Sequence, residues 1–261
     1  QSLAHSVDAV MTPRPITVEV SERVAQAASR MRSCRIRHLP VMGGPRLVGV
    51  LSLRDVVGAD AEALVSAVMS APPQTVGVAT GMHEACERMV AKRISCLPVV
   101  EHDHLLGIFT NTDALRFAAA LLSDDVQAVR GGPTVAQLMT RPLVVASPQL
   151  ALEAAWRLMR ESNVRHLPVM DGDELVGMLS DRDVLAAGRS WLVAPETAQR
   201  LIQVADAMSP RVGTIQSTRP AHEAASILER RRLGALVVLR GQRPLGILTA
   251  TDLLYWLLSR V

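Results

Sequence analysis

The stretch "RHLPVMGGPRLVGVLSLRD", residues 37–55, holds two apolar runs joined by a Gly-Gly-Pro turn and closed by Ser-x-x-Asp. It returns at residues 165–183 as "RHLPVMDGDELVGMLSDRD", with the same spacing throughout. Looser copies stand at 95–113, "SCLPVVEHDHLLGIFTNTD", and at 234–252, "GALVVLRGQRPLGILTATD". Short apolar runs flanking a turn read as an adjacent strand pair. Gly49, Gly107, Gly177 and Gly246 fall early in the second strand of each copy, where a missing side chain lets other backbone come close.

A second element precedes each copy: "VDAVMTPRPITV" from Val7, "VSAVMSAPPQTV" from Val65, "VAQLMTRPLVVA" from Val135 and "VADAMSPRVGTI" from Val204. From each methionine (Met11, Met69, Met139, Met208) it is 29 residues to the Pro position (Pro40, Pro98, Pro168, Val237). From there it is 15 more to the closing Asp (Asp55, Asp113, Asp183, Asp252). Length varies only between units, whose methionines are 58, 70 and 69 residues apart. Such a fixed internal period is the mark of a repeat protein.

Inside each unit a short apolar run such as "PITVEV" suits a strand. A Ser or Thr then opens a stretch such as "SERVAQAASRMRS", with apolar residues at helical spacing. The aligned Ala27, Ala85, Ala155 and Ala224 let that helix approach a sheet. A last helix starts around the Ser/Thr-x-x-Asp. The expected fold is mixed α/β, built from four β-α-β-β-α units. One unit is too small to bury its own sheet face well, so paired units are expected.

The units alternate. Units 1 and 3 share Arg-His-Leu-Pro-Val-Met and Ser-x-Arg-Asp; units 2 and 4 share His-Glu-Ala (His83, His222) and Thr-x-Thr-Asp. The chain reads as a duplicated pair of unlike units. The halves divide near "SDDVQAVRGGPT" (123–134), giving 1–126 with units 7–60 and 61–126, and 127–261 with units 127–195 and 196–261.

Composition narrows the function classes. Of the 261 residues, 49% are hydrophobic and only 2% aromatic, so the core is aliphatic. A net charge of +3 and so few stacking rings argue against nucleic-acid binding. No apolar run has the length of a membrane span; "FAAALL" and "LLYWLL" read as interior helix. Three cysteines without CxxC spacing fit a reduced, cytoplasmic setting. The first residue is Gln, with no signal peptide after it, so the stretch reads as trimmed or as a piece of a longer chain. Neither a Ser/His/Asp order nor a Gly-rich phosphate loop with Lys is present, which argues against an enzyme.

The Met-Thr/Ser-Pro start, the "HLPV" strand and the "G-h-h-S/T-x-x-D" ending (h apolar) together resemble the CBS domain, the module named after cystathionine β-synthase. In that family two units form a pseudo-twofold pair, a Bateman module, with clefts that commonly bind adenine nucleotides or adenosyl ligands. The resemblance implies two such modules, at 1–126 and 127–261. It also implies a regulatory, energy-sensing role for AMP, ADP, ATP or S-adenosylmethionine, a homodimer formed through the modules, and an unnamed regulated protein. It places ribose on the Ser/Thr and Asp: Ser52 and Asp55, Thr110 and Asp113, Ser180 and Asp183, Thr249 and Asp252. Phosphate falls to the basic residues before "LPV", and adenine lies against the first strand, at Thr17 and Val18, Thr75 and Val76, Val144 and Val145, and Thr214 and Ile215.

Read from the residues alone, Ser-x-x-Asp is a helix-capping box that needs no ligand. A carboxylate at a helix start also suits the two hydroxyls of a ribose, and the helix N-terminus favours a phosphate. Arg37-His38 and Arg165-His166 occur in the same units as Arg54 and Arg182, and capping does not require these bases. Unit 2 has Ser95-Cys96 and Thr112 at these places; unit 4 has Gly234-Ala235 and Thr251. The odd units are therefore expected to carry the main sites. The even ones are expected to be weaker, empty, or dependent on an Arg from a neighbour.

Other features carry a bland and a sharper reading. His83, Cys86, His102 and His104 suggest a metal site or a helix start and a solvated turn. Cys34 and Cys96 suggest haem or redox sensing, or core filling. "ERRRLG" (229–234) suggests an anion contact or a solvated helix end. "DLLYWLLSRV" suggests packing on the core or on another subunit, with membrane contact a distant third.

Overall fold

The computed structural model describes residues 6–116, 132–191 and 202–258. Each repeat builds a small sheet around its hairpin. In repeat 1, His38–Gly43 runs antiparallel to Arg46–Ser52, and Val18–Glu19 lies parallel to it with Val18 opposite Val41. Repeat 2 pairs Cys96–Glu101 with His104–Thr110 and with Val76–Gly77. Repeat 3 pairs His166–Asp171 with Glu174–Ser180, its first strand reduced to a bridge from Ala146 to Val169. Repeat 4 pairs Ala235–Arg240 with Arg243–Thr249 and with Thr214–Gln216.

The long helices are Val24–Cys34, Met82–Ala91, Leu152–Glu161 and Ala221–Arg230. Ala27, Ala85, Ala155 and Ala224 are all fully buried, as expected of small residues where helix meets sheet. The Ser predicted to open the first of these helices does not do so. The cap residue is Arg23, two positions after Ser21, and the other three caps are Gly81, Ala151 and Pro220. Backbone carbonyls take over the task of a cap side chain. Val24 N–H donates to Ala63 O, Leu152 N–H to Ile202 O and Ala221 N–H to Pro133 O, each at 2.9 Å.

The start segments are exchanged. Thr12–Pro13 of repeat 1 pairs with His104–Thr110 of repeat 2, and Ser70, at the start of repeat 2, bridges Val50 of repeat 1. Likewise Thr140 of repeat 3 bridges Ile247, and Ser209 of repeat 4 bridges Met178. The aligned glycines make this possible. A Cβ at Gly49 would lie 2.6 Å from Met69 Sδ, and one at Gly177 would lie 2.5 Å from Met208 Sδ. Gly107 faces Met11 and Gly246 faces Met139 in the same way. The methionine of each start segment thus fills the place that a side chain on its partner's strand would need.

Packing divides the chain differently. One compact unit joins Pro15–Pro73 with Val144–Val212, hence the bodies of repeats 1 and 3. The other joins Gln1–Arg14, Gln74–Leu143 and Gly213–Val261, hence those of repeats 2 and 4. Each unit therefore draws on both sequence halves, while the start segments are exchanged within a half. The expected break at 123–134 falls largely outside the described residues, as does "FAAALL".

In the odd unit a single apolar cluster runs through Ala27, Met31, Leu51 and Val56 into Ala155, Met159, Leu179 and Val184. In the even unit Leu115 of repeat 2 joins the core of repeat 4, and Leu254 of repeat 4 joins that of repeat 2. The helix Ala250–Leu258 thus packs on the core, the first of its expected positions. No described helix is long and apolar enough to cross a membrane.

Candidate functional site

All four Ser/Thr–Asp pairs adopt one arrangement. Asp55 Oδ2 accepts from the backbone N–H and the hydroxyl of Ser52, both at 2.7 Å. Asp113 accepts likewise from Thr110, Asp183 from Ser180 and Asp252 from Thr249, at 2.6–2.9 Å. The acid half of the capping box is therefore made in every copy, with the hydroxyl turned onto the acid. The second carboxylate oxygen separates odd from even. Asp113 Oδ1 faces Arg116 at 3.6 Å, and Asp252 Oδ1 accepts from the Thr140 hydroxyl at 2.8 Å. Among the described residues, Oδ1 of Asp55 and of Asp183 has no such partner and remains open to a hydroxyl donor. Burial pushes the Asp113 carboxyl above the usual range, against the Thr110 bonds and Arg116.

The odd unit gathers the basic residues that the sequence singled out. Arg165, Arg37 and Arg182 surround His38, and Arg37, Asp181, Arg165 and Arg182 surround His166. Burial first, then the nearby guanidiniums, holds both imidazoles down to about 3, so each is neutral at pH 7. Arg37 Nη2 meets Asp181 Oδ1 of repeat 3 at 3.2 Å.

Arg54 is engaged elsewhere. Its Nη1 donates to Asn163 Oδ1 at 2.8 Å and its Nη2 to the Val164 carbonyl at 3.3 Å. Its counterpart Arg182 is exposed and makes no hydrogen bond or ion pair with the described residues. The residue equivalent to Asn163 is Arg35; partial burial first, then Arg37 and last Arg35 disfavour the Arg182 charge, against Asp181 and Asp183. Among the described residues, the even unit shows no such basic set. There Asn111 Nδ2 donates to Thr251 Oγ1 at 3.2 Å, Thr112 is exposed, and Ser95 and Cys96 are buried.

On the first strands, Val18, Val76 and Ile215 are buried, opposite Val41, Val99 and Val238. In repeat 3 the residue in that register is Ala146, opposite Val169. The aligned pair there is Val145 and Ala146, and Val144 lies one place too early. The Met-to-strand spacing would have shown this. The carbonyls of Thr17 and Thr75 accept from Arg30 and Arg88. Thr214 and Val145 are exposed.

Sequence reading missed Asp181, Asn163 and Arg35. The signal for the first was present: the residue after the Ser/Thr is Leu53, Asn111, Asp181 and Ala250 in turn, and only one is acidic. Of the weaker candidates, His83 Nε2 lies 3.3 Å from Glu87, and burial pushes the Cys86 thiol up to about 12. No cluster of three or more His, Cys, Asp or Glu that could hold a metal occurs among the described residues. Cys96 is buried and Cys34 is exposed.

The CBS domain matches this chain four times, at residues 7–62, 65–120, 135–190 and 204–259. The chain belongs to the CBS domain family. An uncharacterized 33.4 kDa protein of Thermofilum pendens is 28% identical over 93% of this chain and 87% of its own length. The crystal structure of Methanocaldococcus jannaschii MJ1225, put forward as an archaeal homolog of g-AMPK, superposes with a TM-score of 0.84. That match covers 97% of this chain and 100% of the other at 23% identity. An uncharacterized conserved protein from Pyrococcus horikoshii follows at 0.66, with the same coverage and 22% identity. The shared fold is the mixed α/β fold of paired CBS repeats.

Proposed function

We propose that this protein is a regulatory sensor that binds an adenine nucleotide or adenosyl ligand at its odd repeats. It carries no catalytic step of its own. The observation that carries this is the basic set Arg37, Arg165 and Arg182, gathered around two neutral histidines beside Asp55 and Asp183, whose Oδ1 atoms are open. Guanidiniums suit phosphate oxygens, neutral imidazoles add N–H donors, and each open carboxylate oxygen suits a ribose hydroxyl. Adenine then lies against the first strands at Val18 and Ala146. The alternation extends to the even repeats, where both carboxylate oxygens are occupied and the basic residues are missing; those sites are weaker. Binding that favours one arrangement of the repeats shifts the population, and a partner protein reads the shift.

A ligand-free scaffold is the second reading, favoured by the capping boxes, which satisfy Ser52 and Asp55 without any ligand. Thermal melts with AMP, ADP, ATP and S-adenosylmethionine separate the two. A ligand that binds only the folded state at 100 times its Kd adds about 2.7 kcal/mol and raises the midpoint. No shift with any of the four at millimolar concentration would leave the scaffold. Mass spectrometry of small molecules released from the purified protein would identify the ligand.

A further inference from the structure

The ion pair between Arg37 and Asp181 is poorly made. Asp181 is 97% buried, with a side-chain exposure of 3%, yet its Oδ1 accepts no hydrogen bond. Arg37 Nε is buried and donates to nothing. A carboxylate set squarely on a guanidinium would use two parallel N–H bonds and satisfy both groups. Here one nitrogen meets one oxygen at 3.2 Å, and a donor and an acceptor are left over. Orphaned buried polar atoms are costly, so such a contact is ready to be replaced.

The fold does not ask for an acid at this position. Leu53, Asn111 and Ala250 occupy it in the other repeats, at the starts of equivalent helices. Its place is among guanidiniums. Arg37, Arg165 and Arg182 surround the two histidines, and Arg35 stands near Arg182. Asp181 brings a negative charge to this set, beside that of Asp183.

We infer that Asp181 is an internal competitor for the ligand's phosphate: its carboxylate occupies Arg37 and weakens anionic ligands in proportion to their charge. This rests on the reading that the odd repeats take a phosphate-bearing ligand. A phosphate arriving at Arg37 displaces Asp181 and takes Nη2 and Nε together. Asp181 then remains near the bound anion as a like charge. Repeat 1 has Leu53 at the matching place, so Arg165 meets no acid from that position. The two odd sites are therefore unequal. The site served by Arg37 selects for low phosphate charge.

The test is calorimetry with inorganic pyrophosphate, AMP and ATP on the wild type, Asp181→Asn and Asp181→Leu. The Leu variant gives repeat 3 the residue that repeat 1 already accepts, which guards against misfolding of the Asn form; melts confirm the fold of each. Pyrophosphate should bind at least about tenfold tighter to both variants, the size of one like-charge contact in a largely aqueous setting. The gain should be larger for ATP than for AMP. Pyrophosphate binding that is unchanged or weaker in the folded variants overturns the proposal, because Asp181 would then be positioning Arg37. Equal gains for AMP and ATP overturn the charge selection. If pyrophosphate gains while neither nucleotide binds any form, the nucleotide reading fails and the competitor role stands. If nothing binds any form, both fail.

Discussion

Arg54 of repeat 1 ends on the side-chain amide of Asn163 in repeat 3, with Nη1 2.8 Å from Oδ1. The second nitrogen reaches the Val164 carbonyl. The bond is a clamp between repeats, made by one of the bases that the sequence had singled out as more than capping requires. Arg54→Ala should therefore lower stability by roughly 1 kcal/mol, the worth of a half-exposed hydrogen bond to a charged group. Arg182→Ala removes a guanidinium that burial, Arg37 and Arg35 oppose and Asp181 and Asp183 favour, so it should change stability by no more than about 0.5 kcal/mol. Urea unfolding of both variants checks this. A loss at Arg182 equal to that at Arg54 would refute the asymmetry.

His38 and His166 give the protein a pH dependence of known sign. Unfolded, each titrates near 6.5; folded, each is held down to about 3. Above pH 6.5 both states are neutral and nothing depends on pH. Below it, the unfolded chain takes up protons that the folded chain refuses, so stability falls as pH falls from 6.5 towards 3. The slope is at most about 1.4 kcal/mol per pH unit for each imidazole. Carboxylates add their own slope further into acid, so the comparison is with His38→Gln/His166→Gln. Between pH 7 and 5 the double variant should lose less stability than the wild type. Parallel curves would mean that both imidazoles titrate freely in the fold.

The unit structure was legible because it is local. Fixed steps from Met11 to Pro40 and on to Asp55, repeated four times, can only be one supersecondary element copied. The exchange of start segments was not legible. Gly107 signals that something approaches closely, but nothing near it in the sequence says that the neighbour is Met11. The packing of repeat 1 on repeat 3 was hidden for the same reason: Met31 and Ala155 are helix-face residues with no mark of their partner. At the site, Ser52, Asp55 and the Arg-His pairs were readable as residue types. Their accounts were not, since Arg116, Thr140, Asn163 and Asp181 decide which atoms stay open, and each comes from another turn or another repeat.

Gly49 offers a direct check of the exchange. A methyl group there would meet Met69 Sδ at 2.6 Å and the Ser70 carbonyl at 3.0 Å. Gly49→Ala should cost about 1–3 kcal/mol by overpacking. The methionine is flexible and the carbonyl is not, so Met69→Ala in the same chain should recover part of the loss. The double-mutant cycle should show a coupling of about 0.5 kcal/mol or more. Strict additivity would mean that the start segment does not pack on this strand.

Asp55 and Asp113 test whether odd and even sites differ in binding. Both cap a helix by the same two bonds, so Asp55→Ala and Asp113→Ala should each lose about 1 kcal/mol of stability through the cap. Their ligand effects should part company. Asp55 keeps Oδ1 open, while Asp113 is buried with Oδ1 turned to Arg116. Titrating AMP by calorimetry, Asp55→Ala should weaken binding at least tenfold, the cost of a charge-assisted bond to a ribose hydroxyl. Asp113→Ala should leave that affinity within about twofold. Asp55→Asn separates cap from ligand, because an amide oxygen can still accept from Ser52 but accepts more weakly from a hydroxyl without the charge. It should restore most of the stability and little of the affinity. Equal loss of AMP binding in Asp55→Ala and Asp113→Ala would remove the ranking of odd over even sites, and with it the role given to the open oxygen.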